Sequence, residues 1–337
     1  MRKTNIELLR FIMCITVVLY HTRIDSSYVF SVFSPIIGSG VLVFGLISGY
    51  MMVDKKSPNI SRLIITIFYY LFIVIALNLL LEYAFIAVVD GFESRYGKNG
   101  WLIHHGTINM WYIWALLFVY LISFGINRFL KRTNKWISLS YIFVLYLIFM
   151  FLVVYLQYYK NFSLSNIFYL TMVYMFGGWL KLHSNSLKFK NFDLLNLLAW
   201  VWLSSIMIIN TLIIILVGPG KNTFFGNSNF SSVFSAISIF YLFNKLNIKD
   251  NKFLLFLGRL SIPIYFIHWS LIDLIKLFTI GITTSNEFNF LLISTIDFAV
   301  TLFISFLLLY PVEWVIKNTD ILYKITLNKM KAQINAF

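Results

Sequence analysis

One cysteine in 337 residues, Cys14, rules out an intrachain disulfide and leaves the redox compartment unreadable from cysteine usage. Charge is equally scarce. Asp, Glu, Lys and Arg make up 12% of the chain, about half the share in an ordinary soluble domain. Only 13 of these residues are acidic, against 27 basic ones. No Cys/His metal spacing, phosphate-cradling glycine loop or serine nucleophile elbow occurs, so neither a metal nor a permanently bound cofactor is expected. A basic domain is missing too. The net charge of +14 is spread over short hydrophilic breaks between apolar runs, which argues for membrane topology and against a nucleic-acid partner.

What is present is apolar. A hydrophobic share of 60% and a mean hydropathy of +0.82 exceed what a soluble fold can hide. The aromatic share of 19%, mostly Phe and Tyr, suits a lipid-facing exterior with interfacial belts. Met-Arg-Lys followed by an apolar stretch has the outline of a signal peptide, but Glu7, Arg10 and His21 punctuate that stretch and no small-residue cleavage site follows. It reads as a retained first helix. Heavy use of Asn, Ile, Lys and Phe points to a bacterial genome of low GC content, and hence to a multi-pass protein of a bacterial plasma membrane.

Stretches of about 17–25 apolar residues predict spans near 7–23, 36–53, 62–89, 108–127, 136–156, 163–181, 194–217, 229–246, 253–278 and 289–316. The expected fold is therefore all-α, a polytopic transmembrane bundle of about ten helices. It comprises a membrane domain over 1–317 and a cytoplasmic tail over 318–337, with no appended soluble domain. The third and tenth spans must tilt, kink or project beyond the hydrocarbon. Alternating sides along this map places nineteen of the 27 basic residues on one side and five on the other, with Arg10, Arg259 and Lys276 inside spans. Basic residues favour the cytoplasm, so both termini are expected there.

Ionisable groups inside spans cost on the order of 2.5–3.5 kcal/mol each and are candidate sites. Arg10 and His21 are eleven residues apart, which leaves them about 20° apart around a helix and about 16 Å apart along it. Glu7, Arg10, Cys14 and His21 thus share one face of the first helix, joining both sides of the membrane. An inner-interface Glu7–Arg10 pair with a hydrogen-bonded outer histidine is the competing reading. Arg259 and His268, nine residues apart, fall on opposite faces of a straight helix, and line one cavity only if Pro263 bends it. His104 and His105 sit with Asp90, Glu93, Arg95 and Lys98 in an expected outer loop that has the chemistry to contact sugar. A solvated loop is the favoured reading of them.

The opening IELLRFIMCITVVLYHTR resembles the first helix of the acyltransferase 3 family, an arginine followed eleven residues later by a histidine. VFGLISGYMM, carrying Ser48, Gly49 and Tyr50, is similar to the end of that family's second helix. Trp111-Tyr112, FGGWL at 176–180 and LGRLSIPIYFIHWSL at 257–271, with His268 in an aromatic-x-x-His ending, match in order and spacing. Two departures stand out. Asn59-Ile-Ser-Arg62 keeps one arginine of the family's Arg-x-x-Arg pair, with Lys55 and Lys56 nearby, and the hydrolase-like domain of some members is absent.

The resemblance implies a membrane-bound O-acyltransferase, moving acetyl from acetyl-CoA as co-substrate to a hydroxyl of a cell-surface polysaccharide or lipid-linked sugar. His21 is the expected general base, or is itself acylated and passes the group on. Arg10 and Arg62 are expected to hold CoA phosphates near the cytoplasmic mouth. Ser48, Gly49, Tyr50, Trp111 and His268 are expected to contact substrate, with a tight Ser48-Gly49 turn near the outer end of the second span admitting the ligand. One cavity is expected to join Arg10 to His21, with its mouth beside Arg62. A transporter or flippase for a lipid-linked saccharide is the alternative. It predicts repeat symmetry, and the Arg10/His21 pattern has no counterpart near residue 194.

Tags at both termini are expected to be cytoplasmic and the 90–107 segment external. Labelling of either terminus by an impermeant reagent on intact cells would overturn the orientation.

Overall fold

The computed structural model describes residues 3–22, 27–55, 60–88, 111–156, 164–189, 192–218, 230–278 and 287–334. His104, His105 and the charged residues around them lie outside these. The helices are α1 Thr4–His21, α2 Tyr28–Ile37, α3 Gly40–Met52, α4 Ile60–Val88, α5 Trp111–Arg132, α6 Lys135–Leu156, α7 Leu164–His183, α8 Leu194–Val217, α9 Phe230–Lys245, α10 Lys252–Arg259, α11 Ser261–Phe278 and α12 Glu287–Ile334. A two-residue ladder, Lys188–Phe189 with Phe192–Asp193, precedes α8.

Each expected interval holds a helix or a broken pair of helices. Among the described residues, six segments are long and apolar enough to cross a membrane, or seven if the bent α10–α11 pair is counted as one span. Of the remaining intervals, those of α7 and α9 differ for a physical reason. α7 sits at the centre against α3, α5 and α6, and α9 buries Ser231, Ser232, Ser235 and Ser238. Helices that face other helices need small and polar residues for close approach, and do not need uniform hydrophobicity. Conversely, α8 buries only the stripe Ala199, Ile206, Asn210 and Ile214 and turns the rest outward, as a lipid-facing helix does.

The tightest crossing is that of α3 with α7. A Cβ at Gly49 would overlap the Tyr174 carbonyl, and one at Gly177 would overlap the Leu46 carbonyl, so the two backbones touch directly. Gly49 is thus inside a helix rather than in a turn. The family-like Ser48-Gly49 pair admits a neighbouring helix at its glycine, which corrects the expectation of a tight turn opened to ligand.

Two helices carry a proline near a break, and at the first of them the carbonyl it frees is answered. Pro35 lacks the N–H that would bond the Ser31 carbonyl. Asn210 Nδ2, fully buried on α8, donates to that carbonyl at 2.6 Å and to Val32 at 2.8 Å. Pro263 likewise has no N–H for the Arg259 carbonyl, and α10 and α11 meet there at 44°. The bend therefore falls one turn before the proline, with Pro263 in the first turn of the new helix.

Contacts gather the basic residues at one end. Lys3 and Lys181 lie over the Tyr50 ring at 5.5 and 4.9 Å, and Lys245 meets Asp193 at 2.9 Å. Trp179 Nε1 donates to the Lys135 carbonyl at 2.9 Å, and Thr4 to Asp250 at 3.2 Å. These are residues that the alternation assigns to a single side. They also correct the placement of Ser48–Tyr50 at the outer end: α3 runs antiparallel to α1, so its last residues return to the end where α1 begins. α12, 48 residues long, extends about 72 Å at 1.5 Å per residue, more than twice a hydrocarbon core of about 30 Å. The 317/318 division falls within it.

Gly49→Ala is expected to abolish recovery of monodisperse protein in detergent. Gly125→Ala, which meets nothing within 4 Å, should melt at or slightly above the wild-type temperature. Asp193 supplies a second test. Burial pushes its carboxyl up, but hydrogen bonds from Lys245, Tyr241 and the Asn196 N–H outweigh this and hold it below its ordinary value. A depressed carboxyl stabilises above its unfolded pKa of about 3.9 and loses that contribution as pH falls through the folded value. Acidifying from pH 7 to 3 should therefore lower the melting temperature more in wild type than in Asp193→Asn.

Candidate active site

α1 carries the polar face that the spacing predicts. Arg10 Nη1 donates to Glu7 Oε1 at 3.1 Å. Glu7 is 2% exposed and Arg10 27%, so the carboxylate is fixed inside while the guanidinium keeps one flank open. Gly258 makes the arrangement possible, because a Cβ there would overlap the Glu7 side chain. One turn further along, Cys14 Sγ lies 3.3 Å from the Ser261 carbonyl at the α10–α11 break, a packing role for the lone thiol.

The open flank of Arg10 faces a cavity of about 160 Å³ between α1, α3, α4, α5 and α11. Ser48, Thr66, Tyr112, Tyr120, Ser261 and Tyr265 give it polar atoms, and Phe44, Leu116 and Phe266 are among its apolar walls. Ser48 lies within reach of both the Tyr112 and Tyr120 hydroxyls. The cavity is thus amphipathic, with one cation at its basic end.

At the other end of α1 the His21 ring meets two rings of α11, His268 at 5.3 Å and Trp269 at 4.2 Å between centroids. His268 is 1% exposed. Its Nδ1 lies 2.7 Å from the Tyr265 carbonyl and 3.2 Å from that of Ile264. Carbonyl oxygens only accept, so Nδ1 carries the proton and Nε2 the lone pair. Tyr265 joins the two regions: it lines the cavity, and its ring lies 5.7 Å from His268 and 5.4 Å from Tyr112.

The structure therefore places Arg10 and Ser48 in one cavity, and His21 with His268 in a second cluster next to it. Arg62 is exposed and outside the lining, although Leu63 and Thr66 of the same helix belong to it. Gly49 faces α7, and Tyr50 packs under Lys3 and Lys181 and against Phe240. Trp111 packs edge-on to Tyr112 at 6.2 Å, so it is the second residue of that pair that reaches the cavity. Arg259 is held by a forked pair with Glu313, Nε to Oε1 at 2.9 Å, beside the Tyr310 ring, and stands outside the lining of this cavity, as His268 does.

Sequence reasoning missed Tyr112, Tyr120 and Tyr265 as lining, since a tyrosine in an apolar span reads equally as a belt residue. It also missed Asp297, a fully buried carboxylate within the tenth span, whose Oδ1 accepts from Thr301 at 3.4 Å. The signal was available there, because an ionisable group inside an apolar run is what singled out Arg10.

Residues 3–310 match the profile of a family described as an acyltransferase domain. No curated protein and no solved structure matches the chain. The match runs from the start of α1 into the last turns of the apolar part of α12, taking in both the cavity and the histidine pair. With that extent, and with a fold of many apolar helices, the chain belongs to the acyltransferase 3 family and is a multi-pass membrane acyltransferase.

Proposed function

We propose that this protein transfers acetyl from cytoplasmic acetyl-CoA to a hydroxyl of a cell-surface polysaccharide or lipid-linked sugar, in a bacterial plasma membrane with both chain termini inside. The observation that carries the reading is Arg10 opening into an amphipathic cavity at the basic end of α1 while His21, on the same helix, meets His268 at the other end. The donor is an anionic nucleotide with a thioester on a long arm. Its phosphates suit a guanidinium at a basic mouth, and its pantetheine arm has a length comparable with the roughly 16 Å of helix between Arg10 and His21. CoA therefore need not cross. Arg62, exposed next to Leu63 and one turn before Thr66, adds a second cation near the mouth.

His21 takes the proton of the acceptor hydroxyl as its oxygen bonds the acyl carbon; the carbon–sulfur bond then breaks and the proton passes to the departing thiolate. The hydroxyls of Ser48, Tyr112 and Tyr265 line the arm's route. Tyr265 stands between the cavity and His268, so its side chain must swing aside when the donor enters. Translocation of a whole saccharide draws no support from the family.

Mass spectrometry of surface glycans should show an increment of about 42 Da per transferred acetyl group, present with the protein and absent without it. His21→Ala should abolish the increment while acetyl-CoA still binds. Arg10→Ala should weaken acetyl-CoA binding roughly 10-fold or more, as loss of a charge-assisted contact does. Near-wild-type acetylation by His21→Ala would remove that residue from the mechanism, and unchanged affinity in Arg10→Ala would remove the guanidinium from the donor site.

A further inference from the structure

We infer that His268 is a positioning residue for His21: its Nε2 accepts the N–H of the His21 ring, fixing the tautomer that leaves the other His21 nitrogen free to take the acceptor proton. This rests on the acyl-transfer reading above and assigns a role inside it.

Three observations combine. First, the tautomer of His268 is determined by the backbone. Nδ1 faces two carbonyl oxygens, at 2.7 and 3.2 Å, and the freed electron pair is on Nε2. Second, Nε2 is buried and has no hydrogen-bond partner among the described residues. A buried acceptor left unmatched costs free energy, and its persistence calls for a donor supplied at some stage of turnover. Third, the neighbouring rings are Tyr265, Trp269 and His21, at 5.7, 6.0 and 5.3 Å between centroids. Tyr265 and Trp269 lie on the same helix as His268, three residues before it and one after. His21 comes from another element and carries a ring N–H.

The separation fits. A hydrogen bond of about 3 Å between ring nitrogens places the two ring centres roughly 5 Å apart, each nitrogen lying about 1 Å from its centre. The two planes are inclined by 35°, so a modest turn about the His21 side-chain torsions brings its N–H onto Nε2. His21 is the last residue of α1 and half-buried, where such a turn meets less resistance than in a packed helix interior.

The consequence for the reaction is specific. A neutral imidazole has one N–H and one lone pair, and only the lone pair takes a proton. With N–H directed at His268, the basic nitrogen points away from α11. As the hydroxyl proton arrives, His21 becomes a cation and its bond to Nε2 becomes charge-assisted, hence stronger. When the proton leaves with the thiolate, the original state returns. His268 neither gains nor loses a proton, and its Nδ1–H stays on the Tyr265 carbonyl throughout.

The test begins with the wild-type protein in lipid nanodiscs, selectively labelled with ¹⁵N-histidine. There are five histidines, assigned by single replacement. Solid-state NMR should find His268 protonated at Nδ1, with Nε2 at a hydrogen-bonded acceptor shift that moves toward the free-acceptor position in His21→Ala. A protonated His268 Nε2, or a shift indifferent to His21→Ala, overturns the inference, and neither depends on any substrate being identified. Turnover supplies the second arm. His268→Gln keeps an amide donor toward Tyr265 and an oxygen acceptor toward His21, and should retain kcat within about 10-fold. His268→Leu should lose about 100-fold or more in kcat, the contribution of a well-placed base, with acetyl-CoA affinity unchanged. Wild-type kcat in His268→Leu overturns the role. Equal inactivity of the Gln and Leu variants, both binding acetyl-CoA as wild type does, would instead make His268 a proton carrier in its own right and also overturn it. Absence of acetyl transfer by the wild-type protein would count against the proposed function, whereas the NMR outcome would still decide the pairing of the two rings.

Discussion

Contact between two backbones, α3 on α7, organises the rest of the molecule. Gly49 and Gly177 each present a bare Cα to a carbonyl of the other helix, and this fixes the rotation of α3 about its axis. On an α-helix Phe44 and Ser48 share a face one residue round from Gly45 and Gly49. With the glycines locked onto α7, Phe44 and Ser48 are turned toward α1 and the cavity. A small change in that crossing would rotate Ser48 away from Arg10 without touching either residue. The family-like motif thus has two neighbouring tasks, one of packing at its glycine and one of lining the cavity at its serine.

A second constraint comes from solvent. In hydrocarbon each backbone polar group needs an internal partner, so a helix can be interrupted only where a partner exists. Asn210 provides one for the carbonyls ahead of Pro35, and the short α10 absorbs the interruption before Pro263. The second break matters most for function. It lets Ser261 and Tyr265 turn into the cavity while His268, less than one turn further on, reaches α1. A continuous helix would have kept Arg259 and His268 on opposite sides with no such division of labour. As it stands, Arg259 is spent on Glu313, and α11, like α1, serves both the cavity and the histidines.

Much of this was legible in the sequence, and the limits have physical causes. Hydropathy found the helical intervals because lipid imposes one simple demand on exterior helices; the interval 194–217 coincides with α8. It found the central α7 and α9 too, at 163–181 and 229–246, although these helices answer to neighbours more than to lipid. The Arg10/His21 face followed from 3.6-residue periodicity and stands in the structure as expected on one helix. What could not be read was pairing between distant segments. Nothing in residues 257–271 says which of their polar side chains turns to His21, since that depends on the bend before Pro263. The Ser48–Tyr50 segment was misplaced for a simpler reason: its side follows from counting spans, and the second span returns to the side where the first began. Asp297 shows the converse, a readable signal passed over.

The partition between the cavity and the histidine pair bears on the energy economy of the cell. A membrane that stores a proton gradient tolerates no standing wire of water and titratable groups, yet a through-membrane acyl transfer asks for a passage between the two faces. Tyr265 stands in that passage, lining the cavity on one side and lying against the His268 ring on the other. On the proposed reading of a CoA donor, insulation and catalysis would alternate at that same point, the pantetheine arm that opens the passage also plugging it.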